Sequence, residues 1–272
     1  MPQDKLTEKK VLVRNKNIEK HLFISDFQIP DHNAAAIKVV TQFMHDFSPD
    51  VLHLVGDMMN FSLAGNFSIE GGYDVSIGDE IRAAKIVIGN IVLEARKTNP
   101  KVRVIWYEGN HEYRLERYLA KNADQLIDLT DDDGDRIVSI PYLFKFKENK
   151  IEWVPYYGTY REKGNTEVEH GDIARSKSGY TAHGMLDKRG RSGYSGHTHK
   201  LALVSRNQGG DVKFWVETGS LCNPEPTPRW AKKPDWVNGF AVGIYDKKND
   251  IMHPTPILMQ KNTFVFGDKL YK

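Results

Sequence analysis

Three apolar runs in the first 110 residues each stop at a side chain able to bind a cation, and this repetition constrains the fold most. The runs are His21-Leu-Phe-Ile-Ser-Asp26, Val51-Leu-His-Leu-Val-Gly-Asp57 and Val102-Arg-Val-Ile-Trp-Tyr-Glu-Gly-Asn110. Each is short, rich in β-branched or aromatic residues and closed by Gly or a polar residue, as buried strands are. Two helical patterns lie between them. Ile37, Val40, Met44 and Phe47 recur at three- and four-residue spacing, with Asn33 as N-cap and Ser48-Pro49 as the stop. Ile81, Ala84, Ile88, Ile91 and Ala95 form a second stripe that ends before Asn99-Pro100. Strands alternating with helices predict parallel pairing with helices outside. In open α/β sheets, sites form beyond the carboxyl ends of strands, where Asp26, Asp57 and Asn110 stand.

The pattern recurs later. Val168-Glu-His170 precedes a predicted helix from Ile173 to about Lys188, and Gly193-Tyr-Ser-Gly-His197 follows it. After His199 the texture changes. Leu201 to Arg206, Asp211 to Glu217, Gly239 to Asp246 and Thr263 to Phe266 read as strands, separated by turns such as Gly209-Gly210 and Lys248-Asn249-Asp250. These later strands predict a second, mostly antiparallel sheet packed on the first.

At 272 residues the chain can bury a substantial core. Its net charge is only +2, so no global field draws it onto nucleic acid or a membrane. The one cysteine, Cys222, excludes an intrachain disulfide framework. No apolar run approaches the ~18 residues of a spanning helix, and the polar start up to Lys20 lacks a signal-peptide core. The expectation is a soluble, cytoplasmic protein with no membrane partner: a polar segment over 1–18, then one domain over 19–272. Nothing in the sequence fixes an oligomeric state.

Asp26, Gln28, Asp57, Asn110, His170, His197 and His199 are oxygen and imidazole donors brought from several strand ends. Such a set suits a pair of divalent cations, which neutralise a phosphoester and lower the pKa of a water between them. Asp57 is the natural shared carboxylate. Asp26, Gln28 and His199 complete one site; Asn110, His170 and His197 complete the other.

In order and spacing, Asp26-Phe-Gln28, Gly56-Asp57, Gly109-Asn-His-Glu112, His170-Gly171 and Gly196-His-Thr-His199 resemble the calcineurin-like metallophosphoesterase superfamily. Its pattern is D-x-H, G-D, G-N-H-[DE], a His before Gly, then G-H-x-H. The runs Asp57-Met-Met-Asn60-Phe-Ser, Gly109-Asn-His-Glu-Tyr-Arg114 and Gly239-Phe-Ala-Val resemble most its bacterial and phage-encoded members. The resemblance extends from about His21 to Asp246. It implies a four-layer αββα sandwich of two mixed β-sheets flanked by helices. It also implies catalysis by Asp57, Asn110 and His111: a metal-held hydroxide at Asp57 attacks, Asn110 helps neutralise charge, and His111 binds no metal but assists the leaving group. Glu112 or Asp50 is expected to orient His111. The substrate expected is a phosphodiester or nucleotide-type phosphoester, with a DNA or RNA nuclease as the runner-up. A catalytically silent scaffold, like the retromer subunit of this superfamily, is the rival from another class.

Gln28 departs from the pattern, since most of the family has His there. An amide oxygen is harder and less basic than imidazole, which shifts preference from zinc toward manganese or magnesium. The manganese-dependent ADP-ribose/CDP-alcohol diphosphatase branch also carries D-x-Q. Two divalent ions are therefore expected, with Mn2+ foremost and Mg2+, Fe2+, Zn2+ or Ni2+ as alternatives.

Other residues compete for roles. His183 also precedes Gly, but it falls inside a predicted helix, which favours His170. His53, His21 and His45 read as satisfied buried histidines. Arg114, His32 and Trp230 are candidates for substrate binding; Arg114 fits a phosphate clamp or an ion pair with Glu116 or Asp31 equally well. Tyr113 suits stacking on a base or simple packing. Arg175, Lys177, Lys188, Arg189 and Arg191 read as a solvated face, whereas the stiff loop Pro224 to Trp236 mixes Trp with Lys and Arg as nucleotide sites do.

Overall fold

The computed structural model describes residues 15–64, 75–224 and 235–272. Its first half runs β1 (Ile18–Ile24), α1 (Ala34–Phe47), β2 (Val51–Leu54), α2 (Ile77–Thr98), β3 (Arg103–Tyr107), α3 (Tyr113–Asn122), α4 (Ile140–Leu143) and β4 (Ile151–Val154). The second half runs β5 (Tyr160–Glu162), β6 (Thr166–Glu169), α5 (Tyr180–Arg189), β7 (Ser192–Ser195), β8 (Leu201–Gln208) and β9 (Asp211–Thr218). It closes with β10 (Gly239–Asp246), β11 (Ile251–Leu258), β12 (Phe264–Phe266) and β13 (Lys269–Tyr271). Two large mixed sheets result, ordered β11-β10-β1-β2-β3-β4 and β5-β6-β7-β9-β8, with a small β12-β13 hairpin beside them.

The period-2 alternation of a strand sets the layers. Leu22, Ile24, Leu52, Leu54, Val104 and Trp106 point from the first sheet into a core shared with α1 and α2. Their neighbours Phe23, Val51, Ile105 and Tyr107 point the other way, into a core between the sheets with Val168, Tyr194 and Val216. Phe23 and Tyr194 stack there with centroids 3.8 Å apart. Ala182, Met185 and Leu186 of α5 cover Trp215 on the far face of the second sheet. The order helices, sheet, sheet, helix is the expected four-layer sandwich.

The first two helices form as their patterns require. Asn33 caps α1 through Oδ1, which accepts the Ala36 N–H at 3.1 Å. Ser48 ends that helix in a left-handed conformation. Strands β1 to β4 pair in parallel, so their carboxyl ends share one edge of the sheet.

Three expectations change. Gly239–Asp246 lies beside β1 in the first sheet instead of the second. Its two buried faces explain this, since Phe240 and Val242 enter the helix-side core while Ala241 and Tyr245 enter the core between sheets. The second sheet is mixed: β6–β7 and β7–β9 are parallel, β5–β6 and β8–β9 antiparallel. The helix expected from Ile173 starts only at Tyr180. Lys200 Nζ draws the Arg175 and Ser176 carbonyls out of any helical ladder, and Gly179 turns through φ +81°. Ile251–Leu258 is a strand despite Pro254 and Pro256, because β11 is an edge strand that can lack N–H donors.

Among the lesser histidines, His21 and His53 are buried, with His21 Nδ1 3.0 Å from His53 Nε2 and His53 Nδ1 2.9 Å from the Tyr107 hydroxyl. His45 is exposed, contrary to expectation, and meets Glu94 at 2.8 Å. No helix among the described residues is long and apolar enough to cross a membrane.

Candidate metal centre

The loops after β1, β2, β3, β6 and β7 carry all seven expected ligands to one place. Backbone conformation aims them there. Asp26 (φ 53°), Gln28 (φ 55°), Asp57 (φ 53°), His197 (φ 68°) and His199 (φ 56°) all adopt left-handed backbone, which costs non-glycine residues energy and clusters at functional sites. Close approach needs glycine as well: a Cβ on Gly109 would lie 2.1 Å from Asp57 Oδ1.

Two buried triads share one carboxylate. Asp57, His170 and His197 bring ligand atoms within 4.8 Å of one another, and so do Asp26, Asp57 and His199. His170 donates Nδ1–H to Val55 O at 2.8 Å. Its Nε2 therefore faces inward, 3.3 Å from Asp57 Oδ1 and 3.1 Å from Asn110 Oδ1. His197 Nδ1 lies 2.8 Å from the same Asn110 oxygen. Across the cluster, His199 Nε2 is 3.2 Å from Asp26 Oδ1, with Cys222 Sγ 3.6 Å behind its Nδ1. Gln28 donates Nε2–H to Asp57 Oδ2 at 3.1 Å, and its Oε1 is buried with no hydrogen-bond partner among the described residues.

Electrostatics follow from this crowding. Burial favours the neutral acid at Asp57, yet the imidazoles of His111 and His170 hold it well below the usual carboxylate range. Burial likewise opposes charge on His170, but Asp57 outweighs it and pushes the imidazole up to about 9. Asp26 raises His199 in the same way. His197, desolvated and beside His170, moves down.

Glu112 holds the loop that carries Asp57. Its carboxylate accepts backbone N–H bonds from Asp57 (2.9 Å), Met58 (2.6 Å), Met59 (3.2 Å) and Gly109 (2.9 Å). Burial and the nearby Asp57 charge push its pKa up to about 8 against those four donors.

His111 belongs to neither triad. Its backbone N–H donates to Asp57 Oδ1 at 2.9 Å, and its ring Nε2 is 3.7 Å from Asp57 Oδ2. Burial takes its pKa down to about 4. Its expected orienters are elsewhere: Glu112 serves the backbone, and Asp50 accepts the Lys20 N–H at the opposite end of the strands. Arg114 orients it instead. An arginine can only donate, so the 2.9 Å contact from Arg114 Nη2 to His111 Nε2 fixes the proton on Nδ1. That Nδ1 is buried without a partner among the described residues. The sequence signal for Arg114 was its place one turn after His111; its target was not readable.

The donor set fits divalent cations of hard to borderline character. Two carboxylates, two amide oxygens and three imidazoles converge, and the Gln28 oxygen is left without a hydrogen-bond partner among the described residues. The other candidates vary. His32 Nδ1 is 3.0 Å from Pro30 O, and its backbone bridges to Cys222. Trp230 lies outside the described residues, although Trp236, further along that stretch, packs 4.3 Å from the His199 ring. Arg189 and Arg191 meet Glu167, and Arg189 also meets Glu169, so these cations serve the fold. His183 is exposed on α5, away from the cluster. Cys222 behind His199 carried no sequence signal.

No family model matches the chain. The Gene 54 protein of Mycobacterium phage D29 is 26% identical over 238 residues, covering 82% of this chain and 88% of that protein. The Gene 54 protein of Mycobacterium phage L5 is 26% identical over 250 residues, covering 86% and 92%. Among solved structures, Vacuolar Protein Sorting 29 from Cryptosporidium parvum gives a TM-score of 0.44 at 12% identity, over 93% of this chain and 98% of that one. Yfce, a phosphoesterase from E. coli, gives 0.36 at 13% identity, over 89% and 100%. The Pseudomonas putida nuclease MPE gives 0.35 at 11% identity, over 86% and 87%.

Proposed function

We propose that the chain hydrolyses phosphoester bonds of the phosphodiester or nucleotide type, with two divalent cations, Mn2+ foremost, gathered about Asp57. The reading is carried by one observation: two buried carboxylate–imidazole triads have Asp57 in common. Asp26, Gln28 and His199 hold one ion with it; Asn110, His170 and His197 hold the other. Bound there, such ions neutralise phosphoryl oxygens and lower the pKa of water.

The chain's own residues do the rest. Glu112 locks the Asp57 backbone so that both carboxylate oxygens face the cluster. His111, a neutral imidazole with its proton on Nδ1, stands beside Asp57 where the departing oxygen develops charge. Arg114 keeps that tautomer in place. A nuclease is the narrower alternative within this class.

The test is metal content by mass spectrometry together with turnover of bis-p-nitrophenyl phosphate across Mn2+, Mg2+, Zn2+, Fe2+ and Ni2+. Two ions per chain and metal-dependent turnover are expected. Bound metal with no turnover of any generic ester would favour the scaffold reading instead.

A further inference from the structure

Three tyrosines stand at the rim of the metal centre, and the fold puts them there from two directions. Tyr113 opens α3 two residues after His111. Tyr156 and Tyr157 follow β4, whose parallel pairing with β3 makes that loop leave the sheet at the same edge as Gly109 and Asn110. The Tyr156 N–H donates to Glu108 Oε2 at 3.0 Å and ties the loop to the end of β3. The rings of Tyr113 and Tyr156 stack 5.1 Å apart at 15°. Tyr157 stands edge-on to both, at 5.5 Å and 5.0 Å.

Tyr157 is 80% exposed, so its ring is open to a ligand. Burial, then the charges of Asp172 and Asp57, push the Tyr156 hydroxyl up to about 12, so its ring stays neutral and within reach of both ligand loops. Arg117, exposed and one turn beyond Tyr113 on α3, adds a cation on the same face. Stacked rings beside a cation form a surface for flat bases joined by phosphates.

We propose that Tyr113, Tyr156 and Tyr157 form a base-stacking platform beside the metal centre and that the substrate is single-stranded nucleic acid. This deepens the phosphoesterase reading and rests on it. Positive charge alone would accept any phosphate; the rings select one that carries a base.

The test compares a short thymidine strand with an abasic strand of equal length in Mn2+. Tyr157→Ala should lower kcat/KM on the thymidine strand roughly tenfold, the effect of one lost stacking contact. It should leave the abasic strand unchanged, and Tyr157→Phe should restore the wild-type value. Equal losses on both strands, or no loss on either, would overturn the platform. Binding of uncleavable phosphorothioate versions, read by fluorescence anisotropy, separates the two readings. Equal affinity of wild type for both strands also overturns the platform. Hydrolysis of neither strand would overturn single-stranded nucleic acid as the substrate, whereas failure of the phosphoesterase reading shows separately as no turnover of bis-p-nitrophenyl phosphate.

Discussion

Arg114 Nη2 donates to His111 Nε2 at 2.9 Å while Nη1 donates to the Asn60 carbonyl at 2.7 Å, so one half-buried guanidinium spans two loops of the centre. Two of its five N–H donors hold His111 and the Asn60 carbonyl in place, which gives Arg114 a positioning role. Arg114→Met should lower kcat roughly ten- to a hundredfold, as loss of an outer hydrogen bond does, with KM and bound metal unchanged. Steady-state kinetics distinguishes this from a phosphate clamp, whose loss would raise KM.

Glu112→Gln replaces one of the two acceptor oxygens by an NH2 group that faces N–H donors. Leaving such buried groups unmatched should cost about 2–4 kcal/mol of stability. Urea denaturation reads this directly. A variant as stable as wild type would show that the Asp57 loop holds its shape unaided.

Asp57→Asn and His197→Ala should abolish metal-supported turnover, the first by weakening both ion sites at once. His111→Ala should slow turnover by roughly a hundredfold or more and keep both ions. Loss of two ions from the His111 variant, measured by elemental analysis, would place His111 among the ligands instead.

With Gln28 supplying an amide oxygen, Mn2+ should support higher turnover than Zn2+. Gln28→His should narrow or reverse that ratio by adding a softer, more basic donor. Equal rates with both metals in the natural chain would remove this role from Gln28.

Glu80 is fully buried under the Ser62 backbone, and burial raises its carboxyl to about 7 from an ordinary 4.5. The folded protein therefore binds this proton more tightly than the unfolded chain. Stability from this site is complete at low pH and falls as pH climbs from about 4.5 through about 7. Urea midpoints measured across that window should decline for wild type and flatten in Glu80→Gln.

The convergence of the seven candidate ligands was legible because each follows a strand whose apolar run announces itself. Asn33 and Ser48 marked α1 because capping chemistry is local. The partner of β10 was not legible: Gly239–Asp246 and Asp211–Glu217 look alike as strands, and only the tertiary pairing with β1 assigns the former to the first sheet. Pro254 and Pro256 hid β11, since a proline in an edge strand reads as a break. The Arg114–His111 contact was hidden for a different reason. Arginine reaches several partners from one backbone position, and the tertiary fold decides among them.

The neighbours of β1 reach it at very different times. Strand β2 follows within one helix, whereas β10 starts at Gly239, 221 residues after Ile18. At ordinary translation speeds the ribosome needs about 10–45 s to cover that span. During synthesis, the strand leading to Asp26 thus waits with one edge bare, and His197 and His199 are delivered shortly before it is covered. A slow-translating or truncated nascent chain is therefore most exposed to aggregation along β1, and chaperone capture of ribosome-bound intermediates should concentrate there.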